Sequence, residues 1–129
     1  MIVTDCSALL GFLVDPAGAP MFAEAIAKAG IVAAPELIDV ELLSALRRLE
    51  RLKTIKVSNA AAIIDDYMML PLVRFSIHDL AKDIWALRHN FTAYDASYIA
   101  LAKLLKAPLL TRDGKLQRAA SDFVNITLI

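Results

Sequence analysis

Five short apolar runs, separated by longer stretches of helical character and never by a hairpin turn, constrain this chain more than any other feature. They are Ile2–Val3 at the start, Ile31–Ala34, Leu72–Phe75, Pro108–Thr111 and Val124–Leu128. Successive strands that cannot fold back on one another must cross over through helices, which yields a parallel sheet covered on both faces. The expected fold is therefore α/β: a three-layer α/β/α sandwich around a short central parallel sheet of four to five strands. With 129 residues the chain suits one domain, 1–129, large enough to bury roughly two-thirds of its unfolded surface.

Punctuation between the strands sets the helices. Ser7–Val14 reads as a short helix with Ser7 in the N-cap place, closed by the turn-forming Asp15-Pro16-Ala17-Gly18. Met21–Ala29 stops at Gly30, and Pro35-Glu36 opens the longest helix, to about Leu52. Ser58–Leu70 ends before Pro71. Ser76-Ile77-His78-Asp79 and Thr92-Ala93-Tyr94-Asp95 both have the form of a capping box, predicting helices to about Arg88 and to Leu105. Gly114–Ala120 is a last short helix.

Charge gives no lead on partners, because 14 basic and 14 acidic residues cancel. Mean hydropathy is high at +0.56, yet the longest run without a charged residue is the nine-residue Cys6–Val14, too short to span a bilayer. Surplus apolar surface without a membrane segment points to contact with another protein chain. No secretory signal is recognisable, and a single cysteine suits a reducing compartment, so the expected location is the cytoplasm.

Four acids stand out by position. Asp5 ends the first strand, and Asp113 follows the strand Leu109-Leu110-Thr111. Asp95 opens a helix that is apolar nearly all round, in a setting that Tyr94 and Ala96 suggest is crowded and partly dry. Within its helix Glu41 is the acid that borders the apolar face, while Asp39 and Glu50 fall on the far side. Each has an ordinary explanation alone: an edge residue, a capping aspartate, an Asp-Gly turn. As a set they would share the carboxyl edge of a parallel sheet, where such folds place ligands. Two unit charges about 4 Å apart at an effective dielectric near 20 cost on the order of 4 kcal/mol, which a hard divalent cation relieves. All the donors are oxygen, and His78 and His89 are too far apart for a shared zinc site, so Mg²⁺ or Mn²⁺ is favoured over Zn²⁺. Sparse carboxylates around such an ion suit hydrolysis of phosphodiesters.

These segments resemble the four acidic motifs of PIN-domain ribonucleases, and within them the VapC toxins of toxin–antitoxin pairs. The residues are Ile2 to Leu10 around Asp5, Val40 to Leu46 around Glu41, Thr92 to Ala102 around Asp95, and Leu110 to Asp113, with acid intervals of 36, 54 and 18 residues. The resemblance spans the chain and implies a Mg²⁺- or Mn²⁺-dependent endoribonuclease with its acid cluster at Asp5, Glu41, Asp95 and Asp113. It also implies a homodimer and an antitoxin protein that blocks the cleft. Ser7 and Thr111 would sit beside the acids as supporting hydroxyls. Cys6 departs from the alanine common at its position, where a small thiol should fit.

For RNA phosphates the first candidates are Arg112, Lys115 and Arg118, whereas Arg47, Arg48, Arg51, Lys53 and Lys56 read as solvated surface with Arg48 toward the Glu41 side. A phospho-acceptor receiver domain would need paired acids after the first strand and a lysine after a late one; Cys6, Ser7 and Arg112 do not supply them. A phosphatase with an Asp-x-Asp nucleophile fails at Ser7. A PIN-fold module that binds antitoxin or RNA without cleaving it is the remaining alternative.

Overall fold

The computed structural model describes residues 1–17 and 19–129, so Gly18, part of the expected Asp15–Gly18 turn, lies outside the described residues. Twelve elements follow in order: β1 (Ile2–Thr4), α1 (Cys6–Val14), α2 (Pro20–Ala29), β2 (Val32–Pro35), α3 (Leu37–Arg51), α4 (Val57–Met69), β3 (Leu72–Phe75), α5 (Ile77–Ala86), α6 (Ala93–Leu105), β4 (Leu109–Thr111), α7 (Gly114–Ala120) and β5 (Ile126–Leu128).

The five strands form one sheet in the order β3-β2-β1-β4-β5, every pair parallel. Burial follows this order. The inner strands β1, β2 and β4 are buried at every residue, whereas β3 and β5 at the edges are partly open. Continuous apolar runs are what strands covered on both faces require. Right-handed crossovers carry the chain from β1 to β3 one way and then back past β1 to β4 and β5. They leave α1–α4 packed together on one face and α5–α7 on the other. α6 lies against β1, β2 and β4, and its residues Ala96–Ala102 are all buried, as its apolar circumference predicts.

Two caps differ from the sequence reading. The N-cap of α1 is Asp5, not Ser7: Asp5 is extended (φ −88, ψ 172) and its carboxylate accepts from the Ala8 N–H. A carboxylate is the stronger acceptor and stands one residue before the helix, so the helix starts earlier and Ser7 falls within its first turn. At α5, Ser76 accepts from the His78 N–H at 3.2 Å, while Glu36 reaches across from the end of β2 to take the Ile77 N–H at 3.0 Å. The expected Ser76 box is thus replaced by a cap shared between strands.

The switch in strand direction falls between β1 and β4, which neighbour each other although the chain leaves β1 toward β2. The crevice outside the carboxyl ends of these strands is where an open parallel sheet offers a binding site.

Candidate active site

Asp5 follows β1 directly, and Asp113 lies two residues beyond β4. Asp95 is in the first turn of α6, which begins at this same edge because it returns the chain to the start of β4. Glu41 is in the second turn of α3. All four line one cavity of about 890 Å³, together with Cys6, Ser7, Tyr94, Tyr98, Arg48 and Arg112. The topology therefore brings together the four acids that the sequence singled out.

Asp5 is the most enclosed, 6% exposed. One oxygen accepts from the Ala8 N–H and the Ser7 hydroxyl, each at 2.8 Å, and the other from the Thr111 hydroxyl at 2.5 Å. Those hydroxyls also accept. Arg112 N–H donates to Ser7 Oγ and Asp113 N–H to Thr111 Oγ1, both at 2.9 Å. Ser7 and Thr111 thereby tie the loop after β4 to the Asp5 carboxylate. Burial pushes the Asp5 carboxyl above its ordinary range, its three donors pull it down, and the charge of Asp113 adds an upward push.

The other three acids are held differently. Glu41 accepts from the Tyr98 hydroxyl at 2.5 Å. Its carboxyl is raised by burial, lowered by Tyr98, and raised again by the charges of Asp5 and Asp95. Tyr98 itself is held firmly in the protonated form by burial and by Glu41, so it stays a donor. Asp113 caps α7 through one oxygen, which takes the N–H groups of Lys115 and Leu116 at 2.7 and 3.2 Å. Asp95 donates its own N–H to Thr92 Oγ1 at 3.3 Å, as a capping box requires. Among the described residues its carboxylate accepts no hydrogen bond in return, and burial and the charge of Asp113 raise it. None of the four is ion-paired; the pairs among the described residues are Lys28–Glu24 and Arg74–Asp39.

Among the described residues, no three His, Cys, Asp or Glu side chains are close enough to cage a metal ion by themselves. The acids feel one another's charge across the cavity without forming a closed shell. Cys6, between Glu41 and Asp5, has its thiol pushed up to about 12, by burial first and then by those two charges, so it enters the site as a small neutral group.

Of the candidate RNA contacts, Arg112 lines the cavity, whereas Lys115 and Arg118 lie outside its lining along α7. Arg48, expected toward the Glu41 side, lines the cavity as well. Of the two neighbours that suggested a crowded setting around Asp95, Ala96 is fully buried while Tyr94 is 62% exposed, so α6 is covered from the far side of its first turn onward and open on the Tyr94 side. Tyr98, which lines the cavity and donates to Glu41, is the site side chain that sequence reasoning missed. Its spacing of three from Asp95 on a helix was the available signal, since it puts both on one face.

Comparison with known proteins agrees with this geometry. The model of the PIN domain family matches residues 2–122. Ribonuclease VapC9 of Mycobacterium tuberculosis is 33% identical over 129 residues, covering 100% of this chain and 98% of that protein. The crystal structure of PAE2754 from Pyrobaculum aerophilum superposes with a TM-score of 0.69 at 20% identity, covering 96% of this chain and 89% of that one. That of VapBC2 from Rickettsia felis, bound to a DNA fragment from their promoter, does so with a TM-score of 0.65 at 12% identity, covering 99% and 98%. The order of strands, the four acids at one sheet edge and this full-length similarity agree: the chain belongs to the PIN-domain family, in its VapC group.

Proposed function

We propose that the chain is a Mg²⁺-dependent endoribonuclease, with Mn²⁺ as a substitute ion, acting as the toxin of a type II toxin–antitoxin pair. In this reading it is a cytoplasmic homodimer held silent by a cognate antitoxin protein. The observation that carries the proposal is the convergence of Asp5, Glu41, Asp95 and Asp113 on one cavity, with the first three carboxyls raised by burial and by neighbouring negative charge. The names of the VapC relatives and of the VapBC2 structure support the RNA substrate and the antitoxin partner.

The donor set fits a hard divalent cation: all oxygen, negatively charged and, among the described residues, in no ion pair with lysine or arginine. Mg²⁺ keeps several waters and takes few protein ligands, so an open arrangement of carboxylates suits it better than a closed cage. Asp5, Glu41, Asp95 and Asp113 would hold one or two such ions, which supply an acidified water and charge neutralisation at a phosphodiester. The chain's own groups do the rest. Three donors fix Asp5, Tyr98 fixes Glu41, and among the described residues the Asp95 carboxylate and the second oxygen of Asp113 have no donor. Arg112, with Lys115 and Arg118 beyond it along α7, binds backbone phosphates, and hydrolysis leaves 5′-phosphate and 3′-hydroxyl ends.

The test is cleavage of RNA in the presence of Mg²⁺ or Mn²⁺. Asp95→Asn should abolish cleavage with the fold intact; full activity in that variant, or in excess EDTA, rules the proposal out. The alternative weighed from the sequence is a PIN-fold module that binds antitoxin or RNA without cleaving. Calorimetric titration of Mg²⁺ into the wild type and Asp5→Ala separates the two, since a silent module takes up no ion that depends on Asp5.

A further inference from the structure

We propose that Gly11 is a positioning residue: it leaves the space on α1 in which the Arg112 side chain lies, and so holds the guanidinium at the cavity wall for a phosphate of RNA. This rests on the nuclease reading above and names the seat of one of its substrate contacts.

Gly11 is in the interior of α1, where glycine is less favourable than alanine. Its backbone is helical and has no need of the left-handed region, so conformational freedom does not explain it. Space does. A Cβ built on Gly11 would lie 2.1 Å from Arg112 Nη1, 2.7 Å from Cδ and 3.0 Å from Cζ. The arginine thus occupies the volume that any other side chain would fill.

The other end of Arg112 is held on the same helix face. Its backbone N–H donates to Ser7 Oγ at 2.9 Å, and Ser7 and Gly11 are four residues apart, one above the other on α1. Beneath, the side chain borders a smaller cavity of about 210 Å³ lined by Ala8, Ala19, Pro20, Met21, Phe22 and Ile129. Among the described residues Arg112 makes no ion pair, although four carboxylates line the main cavity with it. A guanidinium confined along its length and unpaired at its head keeps its donor fork free for an anion. Holding it in advance also removes part of the ordering cost of binding.

Gly11→Ala separates this role from a structural one. Alanine favours the helix, and the clashing atoms belong to a flexible side chain, so Arg112 moves and the fold stays. Cleavage of a 5′-fluorescein single-stranded RNA is measured at several salt concentrations for the wild type, Gly11→Ala, Arg112→Ala and the double variant. Gly11→Ala should raise KM about 3–10-fold with kcat within about twofold, and reduce the slope of log affinity against log salt by about 0.7, the loss of one phosphate contact on a single strand. Arg112→Ala should do the same and the double variant no more, with melting temperatures not below that of the wild type for Gly11→Ala. An unchanged KM in Gly11→Ala while Arg112→Ala raises it, or effects that add in full in the double variant, would overturn the proposal. Wild-type protein that cleaves no RNA overturns the nuclease reading instead. The seat is then read by NMR of the Arg112 Nε–H group, which should gain mobility in Gly11→Ala; unchanged mobility refutes the seat by itself.

Discussion

Replacing Tyr98 with phenylalanine removes one oxygen and should weaken both the fold and the proposed metal site. The hydroxyl donates to Glu41 at 2.5 Å, and Glu41 has no other donor among the described residues. A hydrogen bond to a charged group contributes about 1.5–3 kcal/mol, but Glu41 is half-buried and water can partly replace the lost donor, so about 1 kcal/mol is the expected net loss. For 129 residues that corresponds to a melting temperature lower by about 3–4 °C. The sign with pH is specific. The bond favours ionised Glu41, whose carboxyl is already raised by burial, so the deficit should be present at neutral pH and shrink in acid as Glu41 takes up a proton. Partners that orient a metal-binding carboxylate are worth about 10–100-fold in metal affinity or activity, and Tyr98→Phe should lose Mg²⁺ affinity within that range. Calorimetry and thermal melting read the two effects separately. Wild-type Mg²⁺ affinity in a folded Tyr98→Phe protein would refute the reasoning, because Glu41 would then be held, or used, in some other way.

Three further outcomes are expected. Asp95→Asn should melt higher than the wild type in EDTA at neutral pH: a folded-state carboxyl raised above its unfolded value destabilises once ionised, so the stability lost as pH rises through its raised range is restored by the amide. The gain should vanish in acid, and a lower melting temperature at neutral pH would contradict it. Thr111→Val leaves one oxygen of the buried Asp5 without its 2.5 Å donor and should cost about 1.5–3 kcal/mol, a drop of about 5–10 °C; a melt within about 2 °C of the wild type would show that Asp5 does not depend on it. Mg²⁺ should raise the wild-type melting temperature at neutral pH, less so as the acids protonate on lowering pH, and not at all in Asp5→Ala.

Element boundaries were legible wherever the local signal and the tertiary requirement agreed. Leu72–Phe75 and Gly114–Ala120 appear with the bounds the sequence suggested, because Pro71 and the Asp113-Gly114 pair punctuate them. Asp5 and Asp113 were placed by the rule that strand ends carry ligands. What stayed hidden depended on contacts across the chain. The Asp5 carboxylate that caps α1 through one oxygen takes the Thr111 hydroxyl, 106 positions away, on the other, a contact that local spacing does not show. The Ser76 cap is shared with Glu36, 40 positions away. Arg48 reaches the cavity while Lys115 and Arg118 do not, a matter of how α3 and α7 are turned against the sheet, which local spacing does not fix.

The site also explains why its arginines remain available. Four acids sharing a cavity would ordinarily recruit lysine or arginine, yet none of them is ion-paired. Three of the four stand at helix starts: Asp5 and Asp113 cap α1 and α7, and Asp95 lies in the first turn of α6. The positive end of each helix favours negative charge there, and first-turn backbone N–H groups donate directly to the carboxylates of Asp5 and Asp113. Backbone dipoles thus offset part of the repulsion that side-chain cations would otherwise have to neutralise. Glu41 is the exception. It lies within α3, has no helix start to lean on, and faces the charges of Asp5 and Asp95. It is also the acid that takes a buried tyrosine hydroxyl as its donor, which is why removal of that one oxygen should act on Glu41 and leave the other three acids in place.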